Sequence, residues 1–345
     1  MTLKRFQFTL RQEPSPISRE REARQGMGDS IVTGNALTAT VLLLTCNQQD
    51  FVADALSAIL NQQTSDPFQV LVSDDHSTDG TWGIIQHIVS AYKGPHQITL
   101  NQNAKNLGIN PHLNQCIAKC NTDIIIAAAG DDISHSTRVD RIVKAFKDTG
   151  ALLVHSDAIS IDRDGRPMLT VRPKTALERG MPLHKLVASP ALYLGATGAW
   201  HKSLFSIWGD LPTNACYEDQ VLGFRAALKG GVTYIDDPLV NYRVGVGIGA
   251  RDRPEGSLTQ WRTGRIAHLN RMCDVISARR QDAQVVSLAA LLPFDRALVE
   301  YKGRLAYYEH SMHVLRFARI SKIIRQLAWY LREKLKYTKI RKKLT

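Results

Sequence analysis

The strongest constraint on this chain is an alternation that runs between residues 38 and 155. Short, continuously apolar runs take turns with longer stretches whose apolar residues recur at helical spacing. Val41 to Leu44 is wholly apolar, as expected of a strand covered on both faces. Phe51 to Leu60 follows with helical spacing, and Asp50 is placed to cap its start. Phe68 to Val72 reads as a strand and Thr81 to Tyr92 as a helix stopped by Gly94-Pro95. Ile98 to Leu100 is a short strand, and Pro111 to Lys119 a helix with proline in its first turn. Ile124 to Ala128, Thr137 to Lys147 and Leu152 to His155 repeat the order strand, helix, strand. Such alternation predicts an α/β fold, with a mostly parallel, Rossmann-like sheet flanked by helices.

Past residue 156 the pattern loosens. Asp162-Arg163-Asp164-Gly165 reads as a turn between short strands. Residues 195–200 are small until the tryptophan at 200. Glu218-Asp219 precede a helix from Val221 to Leu228 closed by Gly230-Gly231. Val232 to Ile235 and Leu239 to Arg243 read as two strands, and the chain from about residue 255 as helical. The expected organisation is a polar, disordered segment 1–36 broken by Pro14, Pro16, Gly26 and Gly28, an α/β domain over 37–250, and a helical C-terminal region over 251–345.

Charge is distributed unevenly. The net formal charge is +12; residues 314–345 carry +10 of it and residues 1–36 carry +2, so the body is close to neutral. A nucleic-acid enzyme concentrates basic groups around its groove, so no nucleic-acid partner is expected. Within the tail, Phe317, Ile320, Ile324, Leu327, Leu331 and Leu335 recur at three- and four-residue steps among arginines and lysines. Two readings fit: a helix packed on the domain, or a basic amphipathic helix on an anionic membrane. The excess of basic groups tips the balance to the membrane surface. No apolar run reaches the length of a membrane span, and no N-terminal apolar segment marks a signal peptide. Five scattered cysteines point to a reducing compartment. The expected location is therefore cytoplasmic, peripheral on the inner face of the membrane. Cys116 and Cys120 read as two small buried residues rather than half of a zinc site.

In parallel sheets ligands bind beyond the carboxyl ends of the strands. Polar clusters follow three of the expected strands: Thr45-Cys46-Asn47, Ser73 to Gly80, and Gly130-Asp131-Asp132. Asp75 is a carboxylate beyond what a turn and helix cap require, and can accept hydrogen bonds from a base or ribose. Asp131 and Asp132 repel one another unless a cation sits beside them, and hard oxygen ligands suit Mg²⁺ or Mn²⁺. Glu218 or Asp219 is a candidate general base, although acidic residues also favour a helix N-terminus.

Taken together, these sites resemble glycosyltransferase family 2. Asp74-Asp75-His76-Ser77-Thr78-Asp79-Gly80-Thr81 matches the family's Asp-Asp-Gly-Ser-Thr-Asp-Gly-Thr at all but one position. Ser57 to Gln62 is close to its Ser-x-x-x-Gln, Asn106-Leu107-Gly108 matches its Asn-x-Gly with Asn114 as the later Asn, Asp131-Asp132 its metal motif, and Glu218-Asp219 its late acidic pair. Leu44 and Cys46 stand where the family has Pro and Tyr, and Val244 follows Arg243 where it has His. The resemblance covers roughly residues 38–245 and implies a GT-A fold, extended here by the C-terminal helices. It implies a nucleotide-diphosphate-sugar donor and a glycan or lipid-linked acceptor. Asp75 would read the base, with Thr45, Asn47 and Asn106 on the donor site. Asp131 would contact sugar or ribose, Asp132 would hold Mn²⁺ or Mg²⁺, and Arg243 would lie near the diphosphate. Asp219 would be the catalytic base and Glu218 its neighbour, with inversion of configuration. The competing readings are a non-catalytic nucleotide-sugar or glycan-binding protein on the same fold, and a sugar nucleotidyltransferase.

Overall fold

A computed structural model describes residues 37–169, 172–213, 217–246, 258–288 and 291–309. The polar segment 1–36, Cys216 and the basic tail 314–345 lie outside the described residues. The strands are β1 (Ala39–Thr45), β2 (Gln69–Asp74), β3 (Gln97–Gln102), β4 (Ile124–Ala129), β5 (Ile133–Ser134), β6 (Leu153–Ile161), β7 (Ala199–His201) and β8 (Val232–Arg243). They join in one sheet in the order β3-β2-β1-β4-β7-β6-β8-β5. Strands β3, β2, β1 and β4 are mutually parallel, and β7 is the antiparallel strand that lets β6 and β8 run the same way as β4.

The helices are α1 (Val52–Leu60), α2 (Thr81–Ala91), α3 (Ile109–Lys119), α4 (Arg138–Thr149), α5 (Leu183–Leu186), α6 (Ser203–Trp208), α7 (Glu218–Leu228), α8 (Leu258–Val285) and α9 (Leu292–Glu309). The continuous apolar strands arise because both sheet faces are covered. Val41, Leu43, Val70, Val72, Ile124 and Ile126 face α1, α2 and α4, where Leu56, Ile85 and Ile142 are buried. Leu42, Leu71, Ile125 and Leu153 face the opposite way, into a core shared with α3, α7, α8 and α9. Each of these fully buried side chains stabilises the fold by roughly 1.5–3 kcal/mol relative to exposure. Phe224 of α7 meets Phe294 of α9 edge to face, with ring centroids 5.8 Å apart. Helices α8 and α9 thus close the same core that the sheet begins.

Several local expectations need correction. Asp50 does not cap α1, which starts after Phe51 without a side-chain cap; its carboxylate instead pairs with Arg163. The two strands expected at 232–235 and 239–243 are one strand, β8, bulged opposite Ser156 and Asp157. Pro238, which lacks an N–H, sits in that bulge, where the ladder is already interrupted. Strand β6 runs on to Ile161, six residues past His155, because β8 pairs with it along that whole length. Glu218 and Asp219 are the first two residues of α7 rather than a preceding segment. Cys116 and Cys120 are both buried, and burial pushes their thiols up to about 11, far from the thiolate a metal needs.

Candidate active site

The carboxyl ends of β1, β2, β3 and β4 open on one side of the sheet, and Asp74 ties three of them together. It is fully buried. Its Oδ1 accepts from the hydroxyls of Thr45 at 3.0 Å and Ser77 at 2.5 Å, and its Oδ2 from the Ser77 N–H at 2.9 Å and Gln102 Nε2 at 3.3 Å. Those four donors fill a carboxylate's acceptor positions, so Asp74 shapes the loop and has none left for a ligand. Asn47, at φ 54°, faces the same loop from β1: its Oδ1 accepts the Thr78 N–H at 2.8 Å, and its own N–H donates to Ser77 Oγ at 2.8 Å. Just ahead of α2, whose N-cap Gly80 has no side chain to offer, Asp79 Oδ1 accepts the Thr81 N–H at 3.0 Å.

Asp75 is arranged differently. Asn103 Nδ2 and the Leu107 N–H both donate to its Oδ1 at 2.8 Å, and the Gly108 N–H donates to its Oδ2 at 2.9 Å. Asn106 donates Nδ2 to the Asp75 carbonyl at 3.1 Å. Asp75 therefore pins the Asn-Leu-Gly loop against the end of β2. His76 stands at the glycine position of the motif, and its backbone keeps the left-handed conformation a glycine would adopt, at φ 60°.

Across the crevice, Gly130 lets the acidic turn pack onto β1. A Cβ there would lie 2.5 Å from Gln48 Oε1 and 2.8 Å from Thr45 Cγ2. Asp132 Oδ1 accepts the Arg243 N–H at 2.8 Å, so the end of β8 meets the end of β4. The Arg243 guanidinium lies over the Phe51 ring at 4.7 Å and donates Nε to the Asp131 carbonyl at 3.0 Å. Its Nη1 donates to the carbonyls of Asp162 at 3.0 Å and Arg163 at 2.5 Å. With Nε and Nη1 engaged on the main chain, only Nη2 of Arg243 is available to a diphosphate. Burial, and then the charge of Asp131, push the Asp132 carboxyl up to about 8. Burial also raises Asp131. Two buried acids that resist ionisation together fit a site completed by a cation. Among the described residues no cluster of three or more His, Cys, Asp or Glu side chains surrounds them. That donor set suits Mg²⁺ or Mn²⁺, which take one or two carboxylates and fill the remaining positions with phosphate oxygens and water.

Glu218 and Asp219 are joined to this floor through two contacts. Arg138, fully buried behind Asp132, donates Nη2 to the carbonyls of Ala127 at 2.7 Å and Ala196 at 2.8 Å. The turn Gly195–Thr197 that it holds then touches the acidic pair: a Cβ on Gly195 would lie 2.7 Å from Glu218 Oε1 and 3.6 Å from Asp219 Cβ. Glycine at 195 is explained by that approach, and glycine at 198 by the Tyr193 ring, 2.6 Å from where a Cβ would stand. Burial, followed by the charge of Glu218, pushes the Asp219 carboxyl up to about 8, while hydrogen bonds from Gln220 and the charge of Arg279 hold it down in part. Asp219 Oδ1 is sealed from solvent and has no hydrogen-bond partner. A buried acceptor without a donor is costly and characteristic of sites awaiting a ligand.

The structure thus gathers Thr45, Asn47, Asp75 and Asn106 on one wall, Asp131, Asp132 and Arg243 on the floor, and Glu218 and Asp219 beside it. Sequence reading missed Asn103, Arg138 and Arg279. Asn103 was within reach of the strand-end rule, since Asn101-Gln102-Asn103 follows the apolar part of β3. Arg138 and Arg279 carry no sequence signal, because an arginine in a helix is ordinarily a solvated one.

A family model described as glycosyl transferase family 2 matches residues 40–194, the segment holding Thr45, Asp75 and Asp132. That match takes in 155 of the chain's 345 residues. Relatives include the uncharacterized protein Rv1520 of Mycobacterium tuberculosis, 21% identical over 205 residues, which are 59% of this chain and 58% of that protein. The putative glycosyltransferase EpsE of Bacillus subtilis is 30% identical over 104 residues, 30% of this chain and 36% of that one. The chain thus spans just over half the length of its mycobacterial relative. Among solved structures, Staphylococcus aureus TarS 1–349 in complex with UDP superposes with a TM-score of 0.53 at 14% identity, over 83% of this chain and 77% of that one. The mannosyltransferase PcManGT of Pyrobaculum calidifontis, in complex with GDP-Man and Mn²⁺, superposes with 0.50 at 20% identity, over 80% and 82%. The chain therefore has the GT-A fold: a curled, mostly parallel sheet flanked by helices, here with C-terminal helices packed against it.

Proposed function

We propose that the chain transfers a sugar from a nucleotide-diphosphate donor to an acceptor hydroxyl, with inversion. The observation that carries this reading is the contact chain from the Asp132 turn through Arg138 and Gly195 to Asp219. It sets an acid pair suited to a cation beside a half-buried carboxylate, one oxygen of which is sealed from solvent and unpartnered. Asp219 takes the proton of the acceptor hydroxyl as that oxygen attacks the anomeric carbon. The bond from the anomeric carbon to the diphosphate breaks on the opposite face. Asp132 would hold a divalent cation, which supplies charge neutralisation to the leaving diphosphate, and Asp131 would contact the sugar or ribose. Asp75 and the Asn106 loop bind the nucleotide. A non-catalytic binder on this fold has no need to keep Asp219 Oδ1 sealed and unpartnered, and a nucleotidyltransferase would want a glycine-rich basic loop where Thr45 to Asp50 stand.

The test is a thermal-shift panel of nucleotide sugars with and without Mn²⁺, followed by assay of nucleoside diphosphate release in the presence of candidate acceptors. A ligand that binds only the folded state raises the melting temperature. A Mn²⁺-dependent shift, with release abolished in Asp219→Asn, supports transfer; a shift with no release under any acceptor moves the reading to a binding protein.

We further propose that residues 314–345 bring the enzyme to an anionic membrane, where lipid-linked glycan acceptors are found. Among the described residues no helix is long and apolar enough to cross a membrane. Truncation before Val314 should abolish sedimentation with phosphatidylserine vesicles, and equal binding by the truncated chain would rule this out.

A further inference from the structure

We infer that Arg163 grips the donor's diphosphate and is parked on Asp50 while no donor is bound. The inference rests on the transferase reading above and adds to it a residue and a movement.

The need for a second guanidinium follows from what Arg243 has already given up. Phosphates are best recognised by two parallel N–H bonds from one guanidinium fork. Arg243 has committed Nε to the Asp131 carbonyl and Nη1 to the carbonyls of Asp162 and Arg163. Every pair of neighbouring donors on that guanidinium therefore includes one that is engaged, and no fork is left for an anion.

Arg163 stands beside it with its main chain fixed and its side chain outside. Its carbonyl is one of the acceptors of Arg243. The turn that carries it is closed by Asp162 Oδ1, which accepts the Asp164 N–H at 2.9 Å and the Arg166 N–H at 2.8 Å. The Arg163 side chain is 64% exposed. Its guanidinium lies 5.1 Å from the centroid of the Phe51 ring, the ring that also carries Arg243 at 4.7 Å. Since the Arg243 N–H donates to Asp132 Oδ1, that shared ring adjoins the acidic floor.

Two guanidiniums on one ring repel one another, and the carboxylate that answers Arg163 is Asp50, at 2.5 Å. Asp50 is itself 51% exposed, so the pair is screened by water and contributes little. Two positive charges against one negative leave an excess that attracts an anion. A diphosphate carries more charge than one carboxylate and offers several oxygens to the fork, so it displaces Asp50. The anchored turn keeps the Arg163 backbone in place while the long side chain swings.

The experiment is calorimetric titration of the full chain with UDP, GDP, CDP, ADP and dTDP in Mn²⁺, repeated with Arg163→Ala and Asp50→Asn. Both positions are exposed, so both variants should fold and melt close to wild type. For the nucleotide that the wild type binds, Arg163→Ala should weaken binding at least about tenfold. Asp50→Asn, which frees Arg163, should tighten it about threefold. Unchanged affinity in Arg163→Ala reduces Arg163 to a surface partner of Asp50 and overturns the inference. Asp50→Asn that fails to tighten binding overturns the parking, and weakening equal to that of Arg163→Ala shows that the ion pair merely holds the loop and overturns the whole. A wild type that binds none of the five overturns the donor site itself.

Discussion

Arg279 of α8 grips Gln220 of α7 twice, donating Nη2 to its Oε1 at 2.7 Å and Nε to its carbonyl at 3.1 Å. The same guanidinium donates Nη1 to the carbonyls of Leu186, Val187 and Ser189. Gln220 in turn hydrogen-bonds the Asp219 carboxylate. Helix α8 therefore positions the candidate base through one intermediate residue. Arg279→Ala withdraws the donor from all of these acceptors, and breaking a buried charge site of this kind costs about 3–5 kcal/mol. Urea unfolding should show that loss. Arg279→Lys keeps the charge but not the fork, and should remain folded with reduced turnover and unchanged donor affinity. A stability within about 0.5 kcal/mol of wild type in the alanine variant would show that the grip is dispensable.

Asp219→Asn should reduce transfer by at least about a hundredfold while leaving donor affinity nearly intact. The wild-type base must be ionised to act, and its raised carboxyl places the rise of kcat/KM with pH near 8 rather than near the ordinary aspartate value of 3.8. The stability effect has the opposite slope. A carboxyl raised on folding contributes stability that is complete below 3.8 and is lost as pH climbs toward 8. Asp219→Asn removes that loss, so the variant should melt higher than wild type at pH 8 and the gap should close on acidification. A pH-independent gap would sink the assignment of Asp219 as a strained, buried acid.

Asp132→Ala should erase the Mn²⁺-dependent part of the thermal shift produced by the donor nucleotide, with at least about tenfold weaker binding in Mn²⁺. Residual Mn²⁺ dependence equal to that of the wild type would place the cation elsewhere.

His76→Gly should stabilise the protein. A left-handed conformation costs a residue with a Cβ roughly 1–2 kcal/mol, partly offset by the extra unfolded-state entropy of glycine. The expected gain is roughly 0.5–1 kcal/mol, read as a higher urea midpoint. A lower midpoint would mean that the contact between His76 Nδ1 and the Asn103 carbonyl, at 3.3 Å, outweighs the backbone strain.

The alternation of strands and helices up to residue 155 was legible in the sequence because both faces of the sheet are buried, which writes each strand as an unbroken apolar run. The acidic residues were legible for a related reason: strand ends are where a parallel sheet opens, and Asp75, Asp131 and Asp132 follow such ends directly. What stayed hidden are relations between distant segments. That Asp74 is saturated while Asp75 keeps one acceptor position depends on where Gln102, Asn103, Leu107 and Gly108 come to rest. That Gly195 lies against Glu218, and that Arg138 and Arg279 are buried supports rather than surface charges, depends on packing across separations of dozens of residues. Hydrophobic periodicity is a local property of the chain, so the sequence by itself determined the elements and the positions of the acidic motifs. Hydrogen-bond saturation and burial are properties of the assembled fold, so only the tertiary structure decided which carboxylates are left free to act.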